Sequence, residues 1–446
     1  MKTKLRFAPS PTGNLHVGNA RTALVNYLFC KSISGEMMLR IDDTDEERSS
    51  KEYEESIKSD LNWLGIYWET TDRQSTRIKN YKDALKKLFE NGRAYRCYET
   101  QEELSLKRKA QLMSGKPPVY DRQGLSLEEN DHLRYEQDGK LPHWRFKLLD
   151  EEVTWTDLIR GHCTYDMNAL SDPVIMREDG RPIYTLASVV DDIDHKISHI
   201  IRGEDHVTNS AAQIQLFNAL GYEAPNLGHL SLISGADGEG LSKRLGSLSL
   251  GDLKREGLES NALSSLLARL GTSDPIVFFK DIGDLIESFD LNKFSRNTAK
   301  FDINDLYLMN KKSIQSMNYE EASKRFNLIG LDEPGEEFWN TVCGNLNNFI
   351  ETKIWWEVVF GKIDPLIDNQ DLIQVATDTF PSESIDNDTW STWCKKISNQ
   401  SEFKGKELFI SLRKTLTGYD YGPELSKLLP LIGKEKILSR LSGNKS

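Results

Sequence analysis

The sequence predicts an α/β chain: a doubly wound parallel sheet in its first half, an α+β insertion within that sheet, and an all-α C-terminal third. Three observations predict this. Apolar runs at Leu5–Ala8, Met37–Ile41 and Ser198–Arg202 are each followed by a stretch of helical period, and strands separated by helices imply parallel pairing with crossovers. Residues of about 76–185 break that rhythm with charged text and short strand-like runs. From about residue 247 the apolar spacing is helical almost throughout, and beyond Tyr319 no β alternation persists.

Taken in order, Leu5–Ala8 reads as a buried strand that Pro9-Ser10-Pro11-Thr12-Gly13 must stop, because two prolines and a glycine break both strand and helix ladders. Ala20, Leu24, Tyr27 and Leu28 then share a helical face, predicting a helix from Leu15 to about Cys30. Met37–Ile41 is a second strand ending in Asp42-Asp43-Thr44-Asp45, and a helix follows from Lys51 to Leu64, so residues 1–75 form a βαβα unit. The insertion opens with a helix over Ile78–Asn91, closed by Gly92, and continues irregularly through Glu99–Gly139. Strands are expected at Trp144–Leu148, Val153–Leu158 and Asp172–Arg177, with Glu178–Arg181 turning into a further strand at Ile183–Leu186. The nucleus resumes with strand Ser198–Arg202 and a helix over Asn209–Leu220, capped by Asn209 and stopped by Gly221. Ala262–Leu270 is an amphipathic helical run, and Trp355, Trp356, Phe360, Leu408, Leu412, Leu428 and Leu431 fit helix faces, read as core rather than as base-stacking platforms. The boundaries expected are 1–75 with 186–240, then 76–185, 241–318 and 319–446.

The 446 residues can bury more than one core. No long apolar run and no apolar leader follow Met1, so a cytoplasmic protein without a membrane span is expected. The five cysteines are odd in number and scattered, which argues against a disulfide framework. A formal charge of −12 argues against non-specific nucleic-acid binding but not against a local basic face, since charges beyond about 8–10 Å are screened.

A strand, a Pro/Gly turn and a helix start make a ready anion site, because the first turn's N–H groups and the positive dipole end face whatever lies above the strand. His16 adds a donor there, and Gly18 leaves room for a flat ligand. Taken alone, such a unit is as often plain architecture. More than 200 residues later, Gly235–Gly246 (GADGEGLSKRLG) is a glycine-rich loop carrying Ser242, Lys243 and Arg244. Leu241 stands where a Walker lysine would have to be, which excludes a P-loop, yet a hydroxyl and two cations still suit the outer phosphates of ATP.

Together these stretches resemble the two signatures of class I aminoacyl-tRNA synthetases: PSPTGNLHVGN the HIGH region, GLSKR the KMSKS loop. RFAPSPTG, LRIDDTD (39–45), IYTLASVVDD (183–192), HIIRGEDH (199–206) and LRKTLTGYDYGPEL (412–425) resemble the bacterial-type glutamyl-tRNA synthetases, in order and over essentially the whole chain. The resemblance implies a Rossmann-like catalytic domain, an inserted domain that embraces the tRNA acceptor end, stem-contact helices (with Phe294–Met309 as the contact segment) and an α-helical anticodon-binding domain. The helical ending separates it from glutaminyl enzymes, which end in β-barrels.

The implied chemistry is ATP-dependent activation of L-glutamate to an acyl-adenylate, then transfer to the terminal adenosine of tRNA(Glu), with Mg²⁺ accompanying ATP. The resemblance assigns ATP binding to Pro9, Thr12, Gly13, His16, Gly18, Asn19, Asp205, Ser242, Lys243 and Arg244, with His16, Gly18 and Lys243 nearest the chemistry. It maps the glutamate pocket onto Arg6, Ala8, Ser10, Asp42, Tyr184, Ser188 and Arg202, the arginines facing carboxylates and Asp42 the ammonium. Three positions depart from the family's frequent residues: Asp42 for Glu, Ser188 for Asn and Gly240 for the first lysine of the loop. A zinc site of C-x-C…C-x-H type is reduced here to Cys97, with Glu99 in place of the second thiol, so no zinc is expected. A monomer is expected. The alternatives are an enzyme that also charges tRNA(Gln), a glutamyl transferase acting on a tRNA base (which should lack the helical third), and an RNA-binding protein with a decayed ATP site.

Overall fold

Two parallel strands explain why the first signature reads so clearly. In the computed structural model, which describes residues 2–235 and 249–446, β1 (Lys4–Phe7) pairs with β2 (Glu36–Ile41). The crossover is α1 (Val17–Ser32), and β2 is buried from Met37 through Ile41, as a strand covered on both faces must be. A second crossover, α2 (Lys51–Trp63), is capped by Ser50, whose hydroxyl accepts the Tyr53 N–H, and leads to β3 (Thr70–Arg73), parallel to β2. β3 was not legible, since its TTDR is polar and half exposed.

The insertion begins with α3 (Ile78–Glu90) and contains β4 (Ala94–Cys97), α4 (Gln101–Met113), α5 (Glu129–Gln137), β5 (His143–Phe146), β6 (Glu152–Asp157), β7 (Gly161–Asp166) and β8 (Val174–Met176). β4, β5 and β8 form an antiparallel sheet, and β6 pairs with β7 as a separate hairpin. The expectation that 99–139 is irregular is wrong: it holds two helices. α4 is set by a capping box between Thr100 and Glu103 and buries no residue, so it lacks the apolar stripe that would announce it. The strand expected at Ile183–Leu186 is also wrong. Only Pro182 bridges Met176, and α6 (Tyr184–Asp194) starts at once, burying Leu186, Ala187, Val189 and Val190.

β9 (His199–Gly203) then runs beside β1, the Ser198 N–H donating to Lys4 O at 2.9 Å. α7 (Val207–Leu220) is entered from His206 rather than capped by Asn209 and stops at Gly221, and β10 (Asn226–Leu230) pairs parallel to β9. β11 (Ile233–Gly235) precedes the undescribed residues 236–248. After them come α8 (Leu250–Arg255), α9 (Ser260–Arg269), α10 (Ile282–Glu287) and β12 (Ala299–Phe301), which pairs parallel to β11.

The chain forms two compact units, one reaching Arg255 and including Leu263–Ile303, the other Glu256–Ala262 with Asn304–Ser446. The second is helical throughout its described length: α11 (Ile303–Ser316), α12 (Tyr319–Phe326), α13 (Glu336–Val342), α14 (Thr352–Val359), α15 (Gln370–Thr379), α16 (Thr389–Gln400), α17 (Gly405–Thr417), α18 (Leu425–Ile432) and α19 (Lys434–Leu441). Trp355, Leu408, Leu412 and Leu428 are buried in its core, as expected, together with Trp339 and Trp393, whereas Phe360 is 43% exposed and lies tilted against Phe338 and Trp356. Gly422, at φ +129, lies against the Trp355 ring, and a Cβ there would overlap it. Gly422→Ala is therefore expected to destabilise this unit by about 1–3 kcal/mol, measured by urea unfolding. Among the described residues, no helix is long and apolar enough to cross a membrane.

Candidate active site

The carboxyl ends of β1 and β9 and the start of α1 open onto one cleft of about 650 Å³, the place where parallel α/β sheets take ligands. Pro9, Ser10, Thr12, His16, Gly18 and Asn19 line it on the turn-and-helix side, and Arg6, Ala8, Asp42, Tyr184, Arg202 and Asp205 line the rest. Gly13 and Ser188 do not line it. Ser242, Lys243, Arg244 and Gly240 lie outside the described residues.

His16 is the N-cap of α1: its Nδ1 accepts the Gly18 N–H at 3.2 Å. Burial pushes its imidazole below the usual histidine range, so the ring is neutral with its proton on Nε2, a donor. Gly18 is needed first by this cap, because a Cβ would lie 3.1 Å from His16 Cε1 and Nδ1. At the first residues described after 248, Ser249 bridges His16 and the Leu250 N–H donates to Leu15 O at 2.9 Å.

Across the cleft lies Arg202, buried and surrounded by neutral partners. It donates to Tyr184 Oη at 3.0 Å, Ser210 Oγ at 2.6 Å, Gln213 Oε1 at 2.7 Å and, at longer range, His229 Nε2 at 3.4 Å. No carboxylate of the described residues pairs with it. A guanidinium held this way in a cleft is poised to bind an anionic ligand group. Ser188 acts one step back, its Oγ accepting from Gln213 Nε2 at 2.8 Å.

Arg6 is engaged differently, its Nε donating to Asp192 Oδ1 at 3.1 Å. Asp192 also takes Arg40 Nη1 at 2.7 Å, while Arg40 grips Asp42 through Nε at 2.6 Å and Nη2 at 3.0 Å. The sequence reading missed Arg40 and Asp192: Arg40 lies in the apolar run of β2 and Asp192 in the acidic end of α6, and nothing local marks either as a partner of the other. Burial pushes the Asp42 carboxyl up to about 6, against the pull of Arg40. A cationic ligand group bound at Asp42 needs the ionised carboxylate, so its binding is expected to be flat above pH 6 and to weaken as pH falls below it, with the inflection absent in Asp42→Asn.

Also missed was His229, buried between Ser210 (Oγ to Nε2, 2.7 Å) and Asp157 (Oδ2 to Nδ1, 2.5 Å). Burial drives the Asp157 carboxyl up, but the bond from His229 and the N–H groups of Arg160 and Ile159 outweigh it and hold the group at about 2. Burial pushes the His229 imidazole down.

Comparison with known proteins shows the family of the chain. Residues 2–308 match the family described as "tRNA synthetases class I (E and Q), catalytic domain". The chain belongs to this family. Residues 367–444 of the synthetase match an "Anticodon binding domain". It is 49% identical over 442 residues to Glutamate--tRNA ligase 1 of Maricaulis maris, covering 99% of each chain. It is 47% identical over 440 residues to Glutamate--tRNA ligase 2 of Hyphomonas neptunium, covering 98% of this chain and 99% of that one. Its fold superposes on a crystal structure of a glutamate tRNA ligase from Elizabethkingia meningosepticum in complex with its amino acid, with TM-score 0.86, 27% identity and 99% coverage of both chains.

Outside the cleft, the synthetase brings His143 to Cys97 and Glu99, with ligand-type atoms of all three within 4.8 Å of one another. His143 escaped the sequence reading because it arrives from another strand of the sheet. Glu99 Oε2 and His143 Nε2 make no hydrogen bond among the described residues, while Glu99 Oε1 takes the Tyr120 hydroxyl at 2.7 Å and lies 3.6 Å from Lys107 Nζ. The set is one ligand short of a structural zinc, which takes four.

Proposed function

We propose that this chain activates L-glutamate with ATP, releasing pyrophosphate, and transfers the glutamyl group to the 3′ terminal adenosine of tRNA(Glu). The observation that carries the reading is a single cleft with the start of a 16-residue helix on one side and a carboxylate-free guanidinium on the other. The helix start and the neutral His16 suit the α-phosphate and ribose of ATP, and the tether at Ser249 supports bringing Lys243, Ser242 and Arg244 to the departing β,γ-phosphates. Arg202 would bind a glutamate carboxylate, with Arg6 nearby and Asp42 for the ammonium. Glutamine carries no charge to satisfy Arg202 and would leave it unpaired, which is the basis of discrimination.

Catalysis of such a step is positioning plus stabilisation of the charge that develops on phosphate oxygens, so no nucleophilic side chain is required. Mg²⁺ would enter with ATP, bound by phosphates more than by protein. We read the Cys97–Glu99–His143 cluster as a polar contact set without zinc; metal analysis of the purified protein checks this. The working form is read as a cytoplasmic monomer that binds tRNA through the insertion and the helical unit, 76–185 and 319–446.

The test is glutamate-dependent ATP–pyrophosphate exchange, run with and without tRNA, followed by charging of purified tRNA(Glu) and tRNA(Gln). Exchange and tRNA(Glu) charging are expected. Absence of exchange under both conditions overturns the reading in favour of a binding protein, and charging of both tRNAs widens it to a non-discriminating enzyme.

A further inference from the structure

We propose that Asp157 and His229 are positioning residues for glutamate, acting through Ser210 on the guanidinium of Arg202. This rests on the reading of Arg202 as the carboxylate-binding group. Asp157 ends the inserted strand β6, and the Leu158 N–H donates to Leu227 O of β10 at 2.8 Å, so the insertion is pinned to the parallel sheet at this point. The Asp157 carboxylate is buried and already committed: Oδ1 accepts the backbone N–H groups of Ile159 at 3.0 Å, Arg160 at 2.9 Å and His229 at 3.1 Å. Its other oxygen faces His229 Nδ1 and also accepts the Trp155 Nε1–H at 3.3 Å.

An ionised carboxylate can only accept, so His229 carries its proton on Nδ1 and presents Nε2 as an acceptor. Two donors converge on Nε2, the Ser210 hydroxyl at 2.7 Å and the Arg202 Nε–H at 3.4 Å. The Ser210 hydroxyl also lies 3.2 Å from the His206 carbonyl oxygen, but a proton turned that way would set its lone pairs against those of His229 Nε2 at 2.7 Å, so it donates to His229 and its oxygen is left to accept from Arg202 Nη2, at 2.6 Å. Every polarity in the chain Arg202 → Ser210 → His229 → Asp157 is therefore set by the carboxylate at its end. The device supplies acceptors for the inner edge of the guanidinium without neutralising it, since the only anion in the chain lies beyond the imidazole. Arg202 keeps its full charge for the cleft and loses its freedom to turn.

Asp157→Asn tests this by reversing the polarity. The amide oxygen can keep the three backbone N–H groups, which leaves the amide NH₂ facing His229 Nδ1 and costs the longer bond from Trp155 Nε1–H. The imidazole must then carry its proton on Nε2, where it points at the Ser210 oxygen and the Arg202 N–H groups. KM for glutamate in pyrophosphate exchange is expected to rise about tenfold to a hundredfold, with KM for ATP unchanged. Nitrogen-15 NMR of the His229 ring, assigned by its loss in His229→Gln, is expected to show Nδ1–H in the parent and Nε2–H in Asp157→Asn. Ser210→Ala, which removes the middle hydroxyl with little change of volume, is expected to raise KM for glutamate in the same selective way and serves if Asp157→Asn does not fold.

Unchanged KM for glutamate in both variants, or an equal rise in both KM values, overturns the proposal. Failure of the parent chain to catalyse exchange overturns the proposed function itself, whereas an active parent with silent variants overturns only this relay.

Discussion

Arg202→Met is expected to raise KM for glutamate by roughly 30- to 4,000-fold, the equivalent of the 2–5 kcal/mol lost when one partner of a buried, hydrogen-bonded charge pair is truncated. Methionine preserves length and apolar bulk, so the change isolates the charge and its donors. The loss has two sources. The substrate carboxylate would meet no cation at that wall of the cleft, and Ser210, Gln213 and Tyr184, which now each accept from the guanidinium, would lose their donor. Arg202→Lys is expected to recover only a small part, because one ammonium cannot reproduce a planar fork that engages three side chains at 2.6–3.0 Å. KM for ATP, measured in the same exchange assay, is expected to stay within about twofold, because Arg202 lies across the cleft from the helix start. A comparable rise in both would mean that the cleft had deformed.

Lys243→Ala is expected to lower kcat by about 10²–10³-fold while KM for ATP changes little, as when a single donor to developing charge is removed. The sequence supports a larger dependence on this lysine than on its neighbours, since Gly240 takes the place where the family's loop carries its first lysine. Negative charge grows on the β,γ-phosphates as pyrophosphate departs, so an ammonium there acts on the transition state more than on bound ATP. Exchange reduced by tenfold or less would count against this role. Lys243→Arg separates charge from geometry: recovery to within tenfold would mean that charge alone suffices.

Much of the cleft was legible because its parts are short, contiguous and chemically marked. A strand, a turn holding two prolines and a glycine, and a helix start announce themselves by local rules, and His16 caps the helix it introduces. The strands Leu5–Ala8, Met37–Ile41 and Ser198–Arg202 were found because strands covered on both faces read as apolar runs. β3, β4, β7 and β10 were not, since they are half exposed, or short and interrupted by polar residues. α4 was lost for the opposite reason, a helix made by its caps with no buried face. The helical second unit was found from its spacing, although Phe360 is exposed where core was expected.

By itself, the sequence determined the order of the elements, the family resemblance and the residues that line most of the cleft, because hydrophobic period, turn chemistry and capping act within a few positions of one another. Only the tertiary structure decided how those residues are held. Arg40 joins Asp42 to Asp192 over 150 positions away, and Asp157 reaches His229 across 72, in pairings with no local signature. Such contacts exist only once the sheet has brought distant strand ends together and removed the water that would otherwise satisfy each charge. A buried ion must then find a partner in space, whether two positions away, as Asp42 is from Arg40, or 152, as Asp192 is.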